Sequence, residues 1–216
     1  MEIGQSDHIP YILNIICQKF SRRRTLKQQG KEQVIIMSDP LKTERLILRP
    51  WTEADAENLY EYAKNPEVGP VAGWPVHTSV ENSREIIRTV FSEEHVYAVC
   101  LKEDNKAIGC AAITIGEKSN LHLPETEGEI GYWIGVPFWG QGLIPEAVNE
   151  LIRYGFEELK LEKLWCGYFE GNNKSKRVQE KCGFRYHHTN KDMHWELMDD
   201  IRTEHVTCLT VEEWGE

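Results

Sequence analysis

From Leu143 onward the apolar residues return every three to four positions. Ile144, Val148, Ile152 and Phe156 stand four apart, with Ala147, Leu151 and Leu159 beside them. That spacing predicts an amphipathic helix laid on a sheet. Just upstream the pattern alternates instead. GEIGYWIGV predicts a strand with Glu129, Gly131 and Trp133 on one face and Ile130, Tyr132 and Ile134 on the other. LEKLWCGYFE predicts the next strand, and NNKSKRVQEKCGF a short helix with an Asn cap and Gly183 at its C-terminal stop. Strand, helix, strand, helix over residues 129 to 182 implies a right-handed parallel crossover.

The flanking segments read as antiparallel neighbours. RLILR is a short strand, and Thr52 offers an N-cap with Asp55 at the third helical position, so a helix is expected to about Asn65. The Pro and Gly-rich loop NPEVGPVAGWPVHT follows, and Thr78 or Ser79 caps a second helix, VENSREIIRTVF. HVYAVCLK and KAIGCAAITIGEK flank EDN as a hairpin, while RYHHTNKDMHWELMDD and TEHVTCLTVEEW close the chain as a hairpin or near-hairpin. The expected class is α/β of the α+β kind: one domain with a mixed central β-sheet and helices on both faces.

Composition narrows the function. With 25 Lys and Arg against 35 Asp and Glu in 216 residues, the net charge of −10 carries no electrostatic footprint for nucleic acid or an anionic membrane. An acidic surface suits a cationic partner such as an amine. Charge is unevenly spread: residues 1–36 hold six basic residues against three acidic ones, which leaves about −13 for the rest by difference. Those residues read as a loosely packed extension or the product of an upstream start codon, with a basic arm for a separate partner as the alternative. A domain begins afresh at Met37 and runs to 216. The six cysteines include no CxxC pair and mostly sit in apolar runs, which favours buried thiols over a disulfide framework or a metal site. The start lacks the basic residues of a secretory signal, and no run is long enough to span a bilayer, so a cytoplasmic protein is expected.

Between the alternating strand and the amphipathic helix lies GVPFWGQGLIPEA. A strand that ends in a Gly-rich turn and feeds a helix presents backbone N–H groups with no intrahelical partner, at the positive end of the helix dipole. Such a nest binds phosphate. Gly140 and Gly142 allow torsions closed to other residues, and Pro145 sits where its missing N–H costs nothing. There is no GK[ST] of a P-loop and no third glycine of a dinucleotide fingerprint.

The run from GEIGYWIGV through KCGF, with TERLILRPWTEADAENLY before it and VEEW after it, resembles the GNAT superfamily of N-acetyltransferases. It is most similar to the Rim-type branch, which acetylates the N-termini of ribosomal proteins. The resemblance covers about Pro40 to Trp214. It implies acyl transfer from acetyl-CoA, as cosubstrate, to a primary amine in a ternary complex, with no metal. The acceptor is a protein N-terminus or a small amine, and a homodimer is left open. The alternative is a non-catalytic module that binds acyl-CoA to sense or scaffold.

The family's turn, Q/R-x-x-G-x-G/A, falls on Trp139, Gly142 and Ile144, so Trp and Ile depart from it. By resemblance the pyrophosphate of CoA lies on the turn, from Val136 through Trp139, Gly140, Gln141, Gly142 and Leu143 to Ile144. The pantetheine arm enters a splay between residues 132–136 and 166–170. The backbone N–H of Ile134 is placed to polarise the thioester carbonyl. Glu129 is the candidate base, read equally well as an ordinary strand glutamate. The acid is less evident: relatives use a Tyr where Gln179 stands, while Ser175 matches the serine of the Rim-type N-x-x-S and Asn172 serves as cap and pantetheine contact. Trp74, His77, His122, His187, His188 and Trp195 fall on segments that border the acceptor groove in relatives, with Trp74 read as a lid or equally as the anchor of its loop.

Overall fold

The amphipathic helix runs from Leu143 to Glu157 and buries Leu143, Ile144, Ala147, Val148, Leu151, Ile152 and Phe156, the face that the spacing predicts. The computed structural model describes residues 40–215, so the expectations for residues 1–36 lie outside the described residues. In chain order the strands are β1 (Leu41–Lys42), β2 (Leu46–Pro50), β3 (Val96–Leu101), β4 (Ala107–Ile115), β5 (Glu127–Ile134), β6 (Lys163–Phe169), β7 (Arg185–Trp195) and β8 (Asp200–Thr210). The helices are α1 (Ala56–Ala63), α2 (Gly69–Ala72), α3 (Val80–Thr89), α4 (Leu143–Glu157), α5 (Asn173–Lys181) and α6 (Val211–Trp214).

All eight strands join one sheet in the order β1-β2-β3-β4-β5-β6-β8-β7. Every pairing is antiparallel except β5 with β6, the crossover that α4 makes. One face packs on α4 and α5 through Ile113, Ile130, Leu151, Ile152 and Leu164. The other packs on α1 and α3 through Trp51, Leu59, Ile87, Ala98 and Ala112. Each fully buried Leu or Ile contributes about 1.5–3 kcal/mol, so these two layers fix how the strands stack.

The parallel pairing is short. It covers Glu127–Lys163, Gly128–Leu164 and Glu129–Trp165, and then stops. β5 stays paired to β4 as far as Ile134, and β6 to β8 as far as Phe169. The sheet therefore opens between the two strands, over the segments expected to splay.

Three local differences from the sequence reading have clear causes. The Thr52–Asp55 capping box forms, but it opens a 3-10 turn at Glu53–Asp55, and α1 starts behind it and ends at Ala63. Arg49 holds Asp55 by two bonds of 2.8 Å, which ties this turn to β2. The loop before α3 contains α2, stopped by Gly73 in the left-handed region at φ 91°. At the C-terminal end VEEW is not strand: Thr210 and Glu213 form a second capping box, and the chain turns into α6. Ser79, not Thr78, caps α3 by accepting the Asn82 N–H.

Candidate active site

The Gly-rich turn sits at the open end of the splay. After Ile134 a 3-10 turn covers Val136–Phe138, Trp139 is extended, and Gly140 and Gly142 both take left-handed torsions, at φ 76° and 75°. A Cβ on Gly140 would meet nothing within 4 Å, so torsion rather than crowding requires glycine there. Gly142 is the N-cap of α4 and no side chain caps the helix. The turn is braced from beneath. Arg45 donates to the Gln141 carbonyl at 3.0 Å and pairs with Glu146 in the first turn of α4 at 2.6 Å. Gln141 itself donates to the Pro137 carbonyl.

The two off-pattern residues each have a place. Ile144 packs into the core beneath α4 and is almost wholly buried, although it also borders the cavity. The Trp139 indole donates to the Ile134 carbonyl at 3.0 Å, and the Lys174 ammonium from α5 stands 3.2 Å from its ring centroid. Trp139 therefore links β5 to α5 across the mouth of the splay. The Gly135 N–H bonds the Ile108 carbonyl on β4, so strand alternation aims the Ile134 N–H the other way, toward the splay.

A cavity of about 1310 Å³ runs through the opening and reaches both faces of the sheet. On the α5 side lies a chain of hydroxyl and amide groups. Tyr132 Oη is 3.0 Å from Ser175 Oγ and donates to the Ser175 carbonyl at 3.1 Å. Gln179 donates to Ser175 Oγ at 3.3 Å and to the Gly167 carbonyl at 3.0 Å, and accepts from Thr207 at 2.8 Å. Asn172 caps α5 by accepting the Ser175 N–H. Burial, and then the neighbouring Cys166, hold the Tyr132 phenol well above its usual value, so it stays protonated.

On the opposite face Glu129 lines the cavity, and its carboxylate accepts from the Asn120 backbone at 2.7 Å and from the Asn120 amide at 3.1 Å. Burial pushes the Glu129 carboxyl up, partly offset by the bonds from Asn120 and Leu121. Around it stand aromatic rings. Trp133 packs edge-on against Trp74 at 5.7 Å, and Phe169 against Trp195 at 4.8 Å. Trp195 donates to the Gly73 carbonyl at 2.7 Å, which pins the Trp74 loop to the β7–β8 hairpin.

The structure thus brings Glu129, Ile134, Trp139, Gly140, Gly142, Leu143, Ile144, Asn172 and Ser175 onto one cavity, with Trp74, His77 and Trp195 also in its lining. Val136 and Gln141 brace the turn from outside its lining, and His122, His187 and His188 are not in the lining either. His77 meets Ser83 at 2.8 Å, and burial lowers its pKa to about 4, so it is neutral at pH 7. His187 packs on Trp165 and His188. Two cavity groups escaped the sequence reading. Tyr132 was placed on a face but not across from Ser175. Glu204, on β8, is only 7% exposed, and its carboxyl is pushed up to about 7 by burial and then by the charge of Glu129. The described residues hold no cluster able to bind a metal, and no helix among them is long and apolar enough to cross a membrane.

A splayed mixed sheet with a glycine turn at the head of the crossover helix is the arrangement of an acetyltransferase of the GNAT class. Residues 45–185 match the family model of the GNAT acetyltransferase domain, and the chain belongs to that family. It is 31% identical over 150 residues to YoaA, an uncharacterised N-acetyltransferase of Bacillus subtilis (strain 168), covering 67% of this chain and 82% of the relative. It is 45% identical over 65 residues to YdaF of the same organism, provisionally named a ribosomal N-acetyltransferase, covering 30% and 36%. A solved GNAT-family acetyltransferase from Bacillus anthracis superimposes with a TM-score of 0.70 at 23% identity, covering 81% of this chain and 99% of that one.

Proposed function

We propose that this protein transfers the acetyl group of acetyl-CoA to a primary amine, by direct attack in a ternary complex. The observation that carries the reading is the cavity through the splay: a carboxylate lines one face, a hydroxyl pair lines the other, and the glycine turn closes one end. The turn holds the pyrophosphate on backbone N–H groups, Asn172 and the open edges of β5 and β6 line the pantetheine path, and the Ile134 N–H meets the thioester oxygen as charge develops there. Glu129, directly or through water, takes a proton from the amine. Ser175 and Tyr132 stand where the departing sulfur can be protonated. No second carrier of the acetyl group is needed.

The provisional name of YdaF favours a protein N-terminus as acceptor over a free small amine. Among the described residues the thiols of Cys100, Cys110, Cys166, Cys182 and Cys208 form no disulfide, which suits a reducing cytoplasm. The test is thermal stabilisation by acetyl-CoA, followed by thiol release with a panel of amines and short peptides of varied first residue. Stabilisation with thiol release supports the transferase. Stabilisation without release across the panel favours a binding module, and no stabilisation overturns the phosphate turn itself.

A further inference from the structure

Glu204 is not explained by packing. It lies on β8 opposite Phe169, on the sheet face shared by Trp165, Gly167 and Glu129, and it lines the acceptor side of the cavity. One carboxylate oxygen accepts from Asn190 at 3.2 Å, while no donor among the described residues reaches the other, Oε1. Oε1 lies over the backbone of Gly167, where a Cβ would stand 2.4 Å from it. The residue is only 7% exposed and the chain gives its carboxylate a single bond, while Oε1 is open to the cavity, where a bound molecule can supply a second donor.

The surroundings decide which ligand. The titratable and charged groups near Glu204 are Glu129 on β5, Cys166 on β6, His188 two cross-strand pairs away on β7, and Arg202 on β8. Arg202 is engaged with Asp200 and the Pro70 carbonyl, and its guanidinium lies over the Phe169 ring. Among the described residues no Lys, Arg or His pairs with Glu204. The rest of the wall is aromatic: Trp74, Trp133, Phe169 and Trp195.

We propose that Glu204 is a catalytic residue on which the acceptor's ammonium group docks and to which it gives its first proton. This rests on the N-acetyltransfer reading above. Glu129 takes the second proton from nitrogen as the carbon–nitrogen bond forms. The carbon–sulfur bond then breaks with its electron pair on sulfur, which receives a proton from the Tyr132–Ser175 hydroxyls, and these regain one from solvent as the two carboxylates release theirs. Ammonium and thioester become amide, thiol and one net proton, and no other reactant is needed. The site therefore selects acceptors that arrive as cations on an apolar or aromatic stem.

Carboxyl 13C NMR of the full chain saturated with CoA tests docking without turnover, with phenethylamine as probe, 2-phenylethanol as its neutral counterpart and Glu204→Gln to assign the resonance. Phenethylamine should move the Glu204 signal and the alcohol should not. An unmoved signal, or equal movement by both, overturns the proposal. In the coupled assay Glu204→Gln should lower kcat/KM for amines about 100-fold, with stabilisation by acetyl-CoA unchanged. Activity equal to the parent's overturns the role of Glu204 while leaving the transferase standing. Loss of acetyl-CoA stabilisation in the parent protein sinks the transferase instead. Glu204→Asp, which keeps the charge on a shorter arm, serves both measurements if the amide variant does not fold.

Discussion

The carboxylate of Glu204 occupies the space where a side chain on Gly167 would be: a Cβ there would stand 2.4 Å from Oε1 and 3.1 Å from Cδ. Gly167 is on an ordinary extended strand, outside the set of glycines with positive φ, so its backbone does not require glycine. Its neighbour does. The obstructing atoms belong to the far end of a flexible side chain, so Gly167→Ala should fold, with the carboxylate displaced from the acceptor wall. We expect stabilisation by acetyl-CoA to persist and amine turnover to fall about 10–100-fold, the effect of a misplaced catalytic group. A thermal melt with acetyl-CoA beside the kinetic assay checks both halves; full activity would mean that the position of this carboxylate is immaterial.

Removing the buried charge should also raise stability. The Glu204 carboxyl is lifted from 4.5 to about 7 in the fold, so the folded state binds its proton more tightly than the unfolded chain. That difference favours folding below about pH 4.5 and is lost as pH rises through 7. Above 7 the ionised group costs the fold up to roughly 3 kcal/mol. Glu204→Gln should therefore melt higher than the parent at pH 8, on the order of 5 °C, and the gap should close near pH 4. A variant that melts lower at pH 8 would show that the carboxylate supports the fold.

Tyr132 and Ser175 should behave as one unit. Tyr132→Phe removes the hydroxyl that meets both Ser175 Oγ and its carbonyl while leaving the ring. The stability cost should be about 1 kcal/mol, and kcat should fall about 10–100-fold with little change in acetyl-CoA affinity. Ser175→Ala should lose a similar factor, and the double variant little more than either single one. Losses that multiply in the double variant would separate the two hydroxyls.

Much of this was legible because periodicity reports burial. The four-residue spacing of Ile144, Val148, Ile152 and Phe156 marked the face of α4, and alternation over residues 129–134 sorted β5 into a carboxylate face and a phenol face. What stayed hidden depends on contacts between distant segments. Glu204 sits in a strand of mixed pattern, and its partner Gly167 is 37 residues away, so neither sequence run signals the other. The opposition of Tyr132 and Ser175 needed the splay to bring β5 to α5. The helical turn at VEEW, by contrast, had a visible sign in Thr210 and Glu213, the same Thr-x-x-acid spacing that marked Thr52 and Asp55.

The loop that carries Trp74 is fastened by an indole. Trp195 donates to the Gly73 carbonyl, Arg202 donates to the Pro70 carbonyl from the same hairpin, and Asn172 reaches the Val71 carbonyl at 3.5 Å. Gly73 is left-handed, and its missing Cβ would strike Phe169 at 2.8 Å and the Trp195 nitrogen at 2.9 Å, so the loop lies flat against this wall. Trp195→Phe keeps an aromatic ring beside Phe169 but strips the donor, leaving a buried carbonyl unsatisfied at a cost of about 1–3 kcal/mol. Because that bond joins a loop to a hairpin, the loss should loosen residues 69–77 before the sheet. Hydrogen exchange of the Trp74 and His77 amides should quicken while those of β4 and β5 hold, and KM for the amine should rise with acetyl-CoA affinity unchanged. Slow exchange at Trp74 in the variant would show that Arg202 and ring packing hold the loop without the indole N–H.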